Sequence, residues 1–418
     1  MKINRFVFVL IFFNLIFFNS YSQISGCTDP QAINYVQNAT VNDGSCFYKS
    51  TNYYPETFIS PISSTVNETS GLIFFRGALW THNDSGGKPE IYKIDTITGD
   101  VVQIIRINNA TNVDWEDITQ DSDFIYIGDF GNNFGDRDDL KVYKISKTQI
   151  PQTGNAQVEA SVINFSYSDQ KNFAEFKNNN NFDCEAFFAL NDSLYLFTKD
   201  WDDHKTRMYV LPANAGTYQI NPVYTYNVNG LITGADINAE KNQITLVGYY
   251  SYESFIWLMF DFKGNDFFSG NKRRIDFSDM AFVQTEGIAY YDNRNVFMSC
   301  ENSSCPQSLF KINTGIWTNI NNTGISETKN VDNYDVKIIP NPVKDSFKIV
   351  FNNFNAKKIK LEIRDNHWRK LYHKKYHLLK NKENILSFNG LNYKPGMYFL
   401  KIKTKNKIIV KKLIIINH

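Results

Sequence analysis

The chain has 418 residues, a formal net charge of +1 and 15% aromatic side chains, among them 34 Phe and 24 Tyr. That aromatic bulk excludes a disordered chain, and the length allows one large domain or two to three smaller ones. The near-neutral charge hides an asymmetry: residues 334–418 hold 20 of the 44 basic and 5 of the 43 acidic residues, so the tail is basic and the rest acidic. The tail's lysines are spread along alternating segments rather than gathered in one run, which argues for a solvated face and against a nucleic-acid partner.

Residues 1–22 open with Lys2 and Arg5, continue through the apolar run Phe6–Phe18, and end on the small residues Ser20 and Ser22. A run of that length is too short to cross a bilayer as a helix, and the order of parts predicts a cleaved signal peptide leaving Gln23 as the new terminus. Ile24-Ser25-Gly26-Cys27 offers a rival reading, a lipoprotein box with Cys27 lipidated, although polar and small residues separate it from the apolar run. No later stretch is apolar and long enough for a membrane span. Export permits disulfides. The five cysteines are Cys27, Cys46, Cys184, Cys300 and Cys305, so at least one has no partner within the chain.

Residues 23–50 contain GCTDPQAINYVQNATVNDGSCFY. This resembles the short CTDP…NY…AT…DDGSC motif of many secreted proteins of the Bacteroidota, with Asn42 where that motif has its first Asp. The resemblance implies a Cys27–Cys46 staple, which a segment with almost no core requires. Asp29, Asn34, Asn42 and Asp43 offer oxygens for calcium, or simply build turns.

Residues 51–320 carry a repeat of short strands. Thr69-Ser70-Gly71-Leu72, Trp115-Glu116-Asp117-Ile118, Cys184-Glu185-Ala186-Phe187, Gly234-Ala235-Asp236-Ile237 and Thr285-Glu286-Gly287-Ile288 each precede a second strand. Third strands follow at Glu90–Ile94, Lys141–Ile145, Arg207–Leu211, Phe255–Phe262 and Ser308–Ile312, and fourth strands at Val101–Ile107, Ala160–Tyr167 and Pro222–Tyr226. Four antiparallel strands recurring at this interval predict a β-propeller. Five blades are legible. A sixth would have to lie in the long interval around Ser168–Asn181, which otherwise reads as an insertion. Thr57–Ile62 is a spare strand available to complete the last blade. The overall look is similar to exported lactonase-like and phytase-like propellers.

In a propeller the first strand of each blade lines the central channel. Glu116, Glu185 and Glu286 therefore converge in expectation, with Asp114 and Asp183 two residues earlier on the same face. Asp84, Asp129, Asp200 and Glu301 end second strands. Carboxylates sharing one channel repel unless a cation intervenes, and oxygen-only donors favour Ca2+ over zinc. Glu116, Glu185 and Glu286 are the expected metal ligands. The opposing expectation pairs these acids with backbone amides or with Lys199, Arg76 and Arg137. The loops His82-Asn83-Asp84-Ser85-Gly86-Gly87 and Gly128-Asp129-Phe130-Gly131-Asn132-Asn133 present ligand groups or tight turns, and His204 reads as a loop residue. Cys300 and Cys305 suggest a local disulfide, with Cys184–Cys300 as the rival pairing.

Residues 321–333 read as an Asn/Thr-rich linker. From 334 onward the chain carries Pro340-Asn341-Pro342-Val343-Lys344-Asp345, then Leu391-Asn392-Tyr393-Lys394-Pro395-Gly396-Met397-Tyr398, then Lys411-Lys412-Leu413-Ile414. This order resembles the C-terminal sorting domain of the type IX secretion system, with His367-Trp368 where the family has a Gly. Alternating apolar residues and Pro-Gly turn chemistry independently suit a small antiparallel β-sandwich. The resemblance implies passage through the periplasm, recognition of residues 334–418 by the secretion machinery, and release or attachment to surface polysaccharide. The sequence therefore predicts an all-β chain: a secreted or surface-held propeller acting as a ligand-binding or adhesion module. The alternative is a calcium-dependent hydrolase of the lactonase-like or phytase-like kind.

Overall fold

The computed structural model describes residues 23–318 and 335–416, apart from residues 175–176, 252, 278–279, 281–282 and 304 in the first part and residues 353–356, 366–368, 380–381, 390–392, 395 and 405–407 in the second. The expected signal peptide, the linker 321–333 and His367-Trp368 lie outside the described residues. The chain is all-β, with short 3-10 turns and no α-helix among the described residues.

Five four- or five-stranded sheets make up the central part. Sheet 1 runs Thr69–Phe75, Ala78–Asn83, Glu90–Ile94, Val101–Ile107. Sheet 2 runs Trp115–Gln120, Phe124–Asp129, Lys141–Ser146, Ser161–Tyr167. Sheet 3 runs Cys184–Leu190, Ser193–Thr198, Thr206–Pro212, Pro222–Tyr226. Sheet 4 runs Leu231–Asn238, Gln243–Tyr250, Glu253–Phe260, Asn271–Phe277. Sheet 5 runs Thr285–Tyr290, Asn295–Cys300, Ser308–Asn313. Its fourth strand is Glu56–Ile59, taken from the start of the chain and paired antiparallel to Ser308–Asn313. The spare N-terminal strand thus goes where the sequence reading placed it. Two short strands, Ala156–Val158 and Gly216–Ile220, add parallel edges to sheets 1 and 2. Residues 168–183 add no further strand among those described.

Burial explains the sequence pattern. The first strand of sheet 2 is buried at five successive positions, and those of sheets 1, 3 and 4 open the same way. Both faces of such a strand meet protein, so its sequence does not alternate. Further out, Asn271–Phe277 alternates strictly between buried and half-buried. Apolar layers fill the spaces between successive sheets. Trp80, Ile91 and Ile105 of sheet 1 pack with Trp115, Ile125 and Tyr143 of sheet 2. Phe187 and Tyr209 of sheet 3 meet Val142 and Phe165 of sheet 2. Sheets 3 and 4 share Phe188, Phe197, Leu246 and Phe255. Sheets 4 and 5 share Ile256, Phe277, Met298 and Ile312. Leu72, Leu79 and Tyr92 of sheet 1 complete the series against Phe297 and Leu309 of sheet 5.

The first strands of the five sheets touch in the same cyclic order. Side chains stitch them to neighbouring backbones. Ser70 donates to the Glu116 carbonyl, Thr233 to the Thr285 carbonyl at 2.6 Å, and Ser299 to the Ser70 carbonyl at 3.2 Å. Asp117 accepts from the amides of Phe187 at 3.0 Å and Ala235 at 3.4 Å, so one carboxylate ties three sheets. At Gly287 a Cβ would collide with the Ser70 carbonyl and sit 2.8 Å from the Gly71 carbonyl carbon.

The small N-terminal module is closed by a Cys27–Cys46 disulfide, which leaves no Cys27 thiol for a lipid. Such a loop closure is worth about 3 kcal/mol. Asp29, Asn34, Asn42 and Asp43 each accept one backbone amide, from Gln31, Phe47, Gly44 and Ser45, the turn-building role. Asn42 also donates to Asp261 Oδ2 at 2.8 Å and Asn271 Oδ1 at 3.0 Å, docking the module on sheet 4. Its replacement of the motif's usual Asp has a local reason: a carboxylate there would face Asp261. Cys184, Cys300 and Cys305 are free, so neither the Cys300–Cys305 nor the Cys184–Cys300 bridge is formed. The Cys300 and Cys305 sulfurs nevertheless lie 3.4 Å apart, near neighbours but beyond bonding distance.

Residues 335–416 form two sheets. One has Asp335–Ile339, Ser346–Asn352 and Asn384–Asn389; the other has Lys370–His377, Lys358–Arg364, Gly396–Lys403 and Ile408–Ile415. Phe347, Ile349 and Phe351 from the first share a core with Ile359, Leu361, Ile363 and Leu400 from the second, which is the expected sandwich.

Two substitutions test this packing. Gly287→Ala forces the first strands of sheets 5 and 1 apart and is expected to lower stability by about 2 kcal/mol in denaturant unfolding. Asn42→Asp is expected to cost about 1 kcal/mol, less at high salt, with recovery in the Asn42→Asp/Asp261→Asn double variant.

Candidate functional site

The pairing of first and second strands is irregular at one place in every sheet. The register shifts between Thr69 and Leu72, Trp115 and Asp117, Cys184 and Ala186, Ile232 and Gly234, and Thr285 and Ile288. A bulge bends the strand and re-aims the extra side chain. The residues so placed are Ser70, Glu116, Glu185, Thr233 and Glu286. In sheet 4 the recurring position is therefore Thr233, not Ala235, a two-residue correction to the alignment.

Around these bulges the acids gather. One carboxylate oxygen each from Asp84, Asp114 and Glu116 lies within 4.8 Å of the others, and Glu116, Asp183 and Glu185 form a second group under the same limit. Glu116 belongs to both. It is only 6% exposed, and among the described residues no hydrogen bond or ion pair holds its carboxylate. The backbone at Gly131 lies so close to the Glu116 and Asp114 carboxylates that no Cβ fits there. Glu286 stands outside both groups and is 8% exposed. Its electrostatic neighbours are Lys199, Glu301 and Asp84.

Not every expected acid is free. Asp129 pairs with Arg137 at 3.0 Å and accepts the Asp114 amide. Asp200 is ion-paired with Arg207. Asp183 accepts the Asn132 amide at 2.6 Å and the Trp201 indole N–H at 2.7 Å. Glu185 meets Lys199 Nζ at 2.7 Å. Arg76 donates instead to the carbonyls of Ile150 and Lys147. The pairing expectation thus holds for Asp129 with Arg137, for Glu185 with Lys199, and for Asp183 and Asp84 with the backbone amides of Asn132 and Ser85; Asp200 pairs instead with Arg207, and Asp114, Glu116 and Glu286 have no such partner among the described residues.

Burial raises the unpaired acids. It pushes Asp84 up to about 6 and, with the charges of Asp84 and Asp183, Asp114 up to about 7. Burial takes Glu286 to about 8 against the pull of Lys199, and Glu301 to about 7. Glu116 is driven well above the carboxylate range by burial, then by Glu185, Asp84, Asp114 and Asp183. Burial disfavours the Lys199 charge, but Glu185, Tyr249, Glu286 and Asp183 outweigh it and hold the ammonium well above its usual value.

Sequence reasoning named the acids but missed Trp201 and Tyr249, whose rings lie 4.8 Å and 5.3 Å from Lys199 Nζ. It also missed Asp117 as the tie between sheets. Buried His82 lies edge-on to Trp115, and burial lowers it to about 4, so it is neutral near pH 7. His204 is a left-handed loop residue against Tyr250.

Residues 337–416 match the family described as Secretion system C-terminal sorting domain. The tail is a type IX sorting domain. The sorting domain marks the chain as a secreted or outer-surface protein. No helix among the described residues is long and apolar enough to cross a membrane. No curated protein matches the chain. Among solved structures it is similar to PorZ, a bacterial surface component of the type IX secretion system of Porphyromonas gingivalis (13% identity, TM-score 0.31, 89% of this chain and 48% of that one). The chain thus spans about half the length of PorZ. It is also similar to an exo-β-1,3-galactanase from Phanerochaete chrysosporium (10%, TM-score 0.42, 85% and 99%). A third is a periplasmic gluconolactonase from Pseudomonas aeruginosa (12%, TM-score 0.27, 81% and 98%). At such scores these likenesses carry no argument about activity.

The raised acids fix a pH dependence. Their folded values exceed the ordinary carboxylate range, so the folded chain binds more protons than the unfolded one between about pH 4 and 8. Their contribution is fully present below about pH 4 and is lost as pH rises through the window of about 6 to 8. In chelator, the melting temperature is expected to fall by roughly 5 °C from pH 5 to pH 8.5. A flat or rising profile would refute the assignment.

Proposed function

We propose that the exported part of the chain is a five-bladed propeller that binds its ligand at the axial end of the carboxylate cluster through a hard divalent cation. On this reading residues 1–22 are removed, the five central sheets are the blades, and sheet 5 is closed by Glu56–Ile59. Asp84, Asp114 and Glu116 are the cation's protein ligands, and Glu286 and Glu301 line the approach. All donors are oxygens, which suits Ca2+.

The supporting observation is the state of Glu116. A carboxylate buried this far without a hydrogen bond or counter-ion costs several kcal/mol if ionised. Two further acids within 4.8 Å raise that cost. A bound cation removes it, and waters complete the shell. Of the three acids first expected as metal ligands, Glu116 stays in this reading, Glu185 is replaced by Asp84 and Asp114, and Glu286 moves to the approach.

A calcium-dependent hydrolase is the second reading, favoured by one observation: before any ion binds, burial raises the carboxyl of Glu301, which is outside the ligand set, to about 7. Such a carboxyl can take a proton from a cation-bound water. After tail removal the product is acidic, and its attachment to surface polysaccharide remains the expectation for a cargo held at the surface.

Calcium titration with thermal melting tests the cation reading. Millimolar Ca2+ is expected to raise the melting temperature of the chain from Gln23, and Glu116→Gln to abolish most of the shift. No shift in the unsubstituted chain would sink the cation site. Turnover of lactones or phosphomonoesters that disappears in chelator and in Glu116→Gln would establish the hydrolase; calcium binding without turnover leaves the binding module.

A further inference from the structure

We infer that the axial cluster accepts one divalent ion and not two, because the ammonium of Lys199 already fills the second carboxylate group. The inference rests on the reading of Asp84, Asp114 and Glu116 as a cation site, and makes Lys199 a residue that sets the stoichiometry and specificity of that site.

Two carboxylate groups joined by a shared Glu116 are the arrangement in which two ions bridged by one carboxylate occur. The two groups differ in what they already hold. In the second, Glu185 Oε1 meets Lys199 Nζ at 2.7 Å. Both oxygens of Asp183 are engaged, one by the Asn132 amide and one by the Trp201 indole. In the first, among the described residues, the Glu116 and Asp114 carboxylates accept no hydrogen bond, and that of Asp84 accepts only the Ser85 amide at 2.5 Å.

Lys199 cannot readily withdraw. Its side chain is 8% exposed. Its backbone amide donates to the Asp183 carbonyl at 2.6 Å, fixing the start of the side chain beside the carboxylates it serves. Trp201 and Tyr249 present ring faces to the ammonium, which adds cation–π attraction where water is excluded. The fixed charge also leaves Glu116 less crowded, so that it can turn to the first group.

Calorimetric calcium titration of the chain from Gln23 tests this. One ion is expected for the unsubstituted chain and two for Lys199→Met. Glu185→Gln, which keeps an acceptor for Lys199, is expected to weaken binding by no more than about threefold, against roughly thirtyfold or more for Glu116→Gln. Two ions in the unsubstituted chain, or one ion in folded Lys199→Met, would overturn the inference while leaving the cation site intact. If Lys199→Met does not fold, Glu185→Gln decides: a loss above about tenfold places the ion in the second group and overturns the inference. No binding to the unsubstituted chain removes both this inference and the cation site.

Discussion

A four-stranded sheet with two apolar faces cannot stand alone in water. Each face must be covered, and in this chain each is covered by the next sheet. Leu79 and Tyr92 of sheet 1 find their partners in Phe297 and Leu309, more than two hundred residues later. With that last layer, each neighbouring pair of the five sheets shares an apolar core among the described residues. The strand Glu56–Ile59 makes the dependence covalent in effect, because sheet 5 is incomplete until the start of the chain pairs with Ser308–Asn313. The proposed propeller draws its support from this covering of faces rather than from likeness to any solved structure.

The acidic cluster is a consequence of the same constraint. Bringing five first strands together crowds their backbones, which is why Gly71, Gly234 and Gly287 stand where a Cβ would collide. Bulges at the equivalent position of every first strand relieve the crowding and turn one side chain out of the regular alternation. Where that residue is Ser70 or Thr233, its hydroxyl ties a neighbouring strand. Where it is Glu116, Glu185 or Glu286, a carboxylate is delivered to a buried place. One geometric device thus serves both cohesion and the candidate site.

Much of this was legible in the sequence, and the failures have physical causes. Glu90–Ile94, Val101–Ile107 and Pro222–Tyr226 are strands at the residues expected, because β-branched and aromatic residues fill them and turn residues bound them. The recurring position in sheet 4 was misplaced because a bulge adds a residue without changing the local pattern. The partners of Asp129 and Asp200 were hard to assign because Arg137 and Arg207 reach them across hairpins, at separations that depend on loop length. Trp201 and Tyr249 gave no signal, since an aromatic beside a buried lysine looks like any core residue. Asn42 was visible as a departure from its motif, but its reason, Asp261, lies more than two hundred residues away, just past a strand of sheet 4.

The buried acids also bear on export. A group held protonated in the fold subtracts from stability at neutral pH, and here several such groups sit together. On the cation reading, an ion that binds the folded state restores that stability in proportion to the logarithm of its concentration. The folded chain would then be weakest where the ion is scarce and firmest where it is plentiful. On the same reading, export into surroundings richer in the ion would firm the fold. Lys199 limits how far this coupling goes. It supplies one positive charge to Glu185 from within the chain, which on the cation reading would leave Glu116, Asp84 and Asp114 as the part of the site open to an ion.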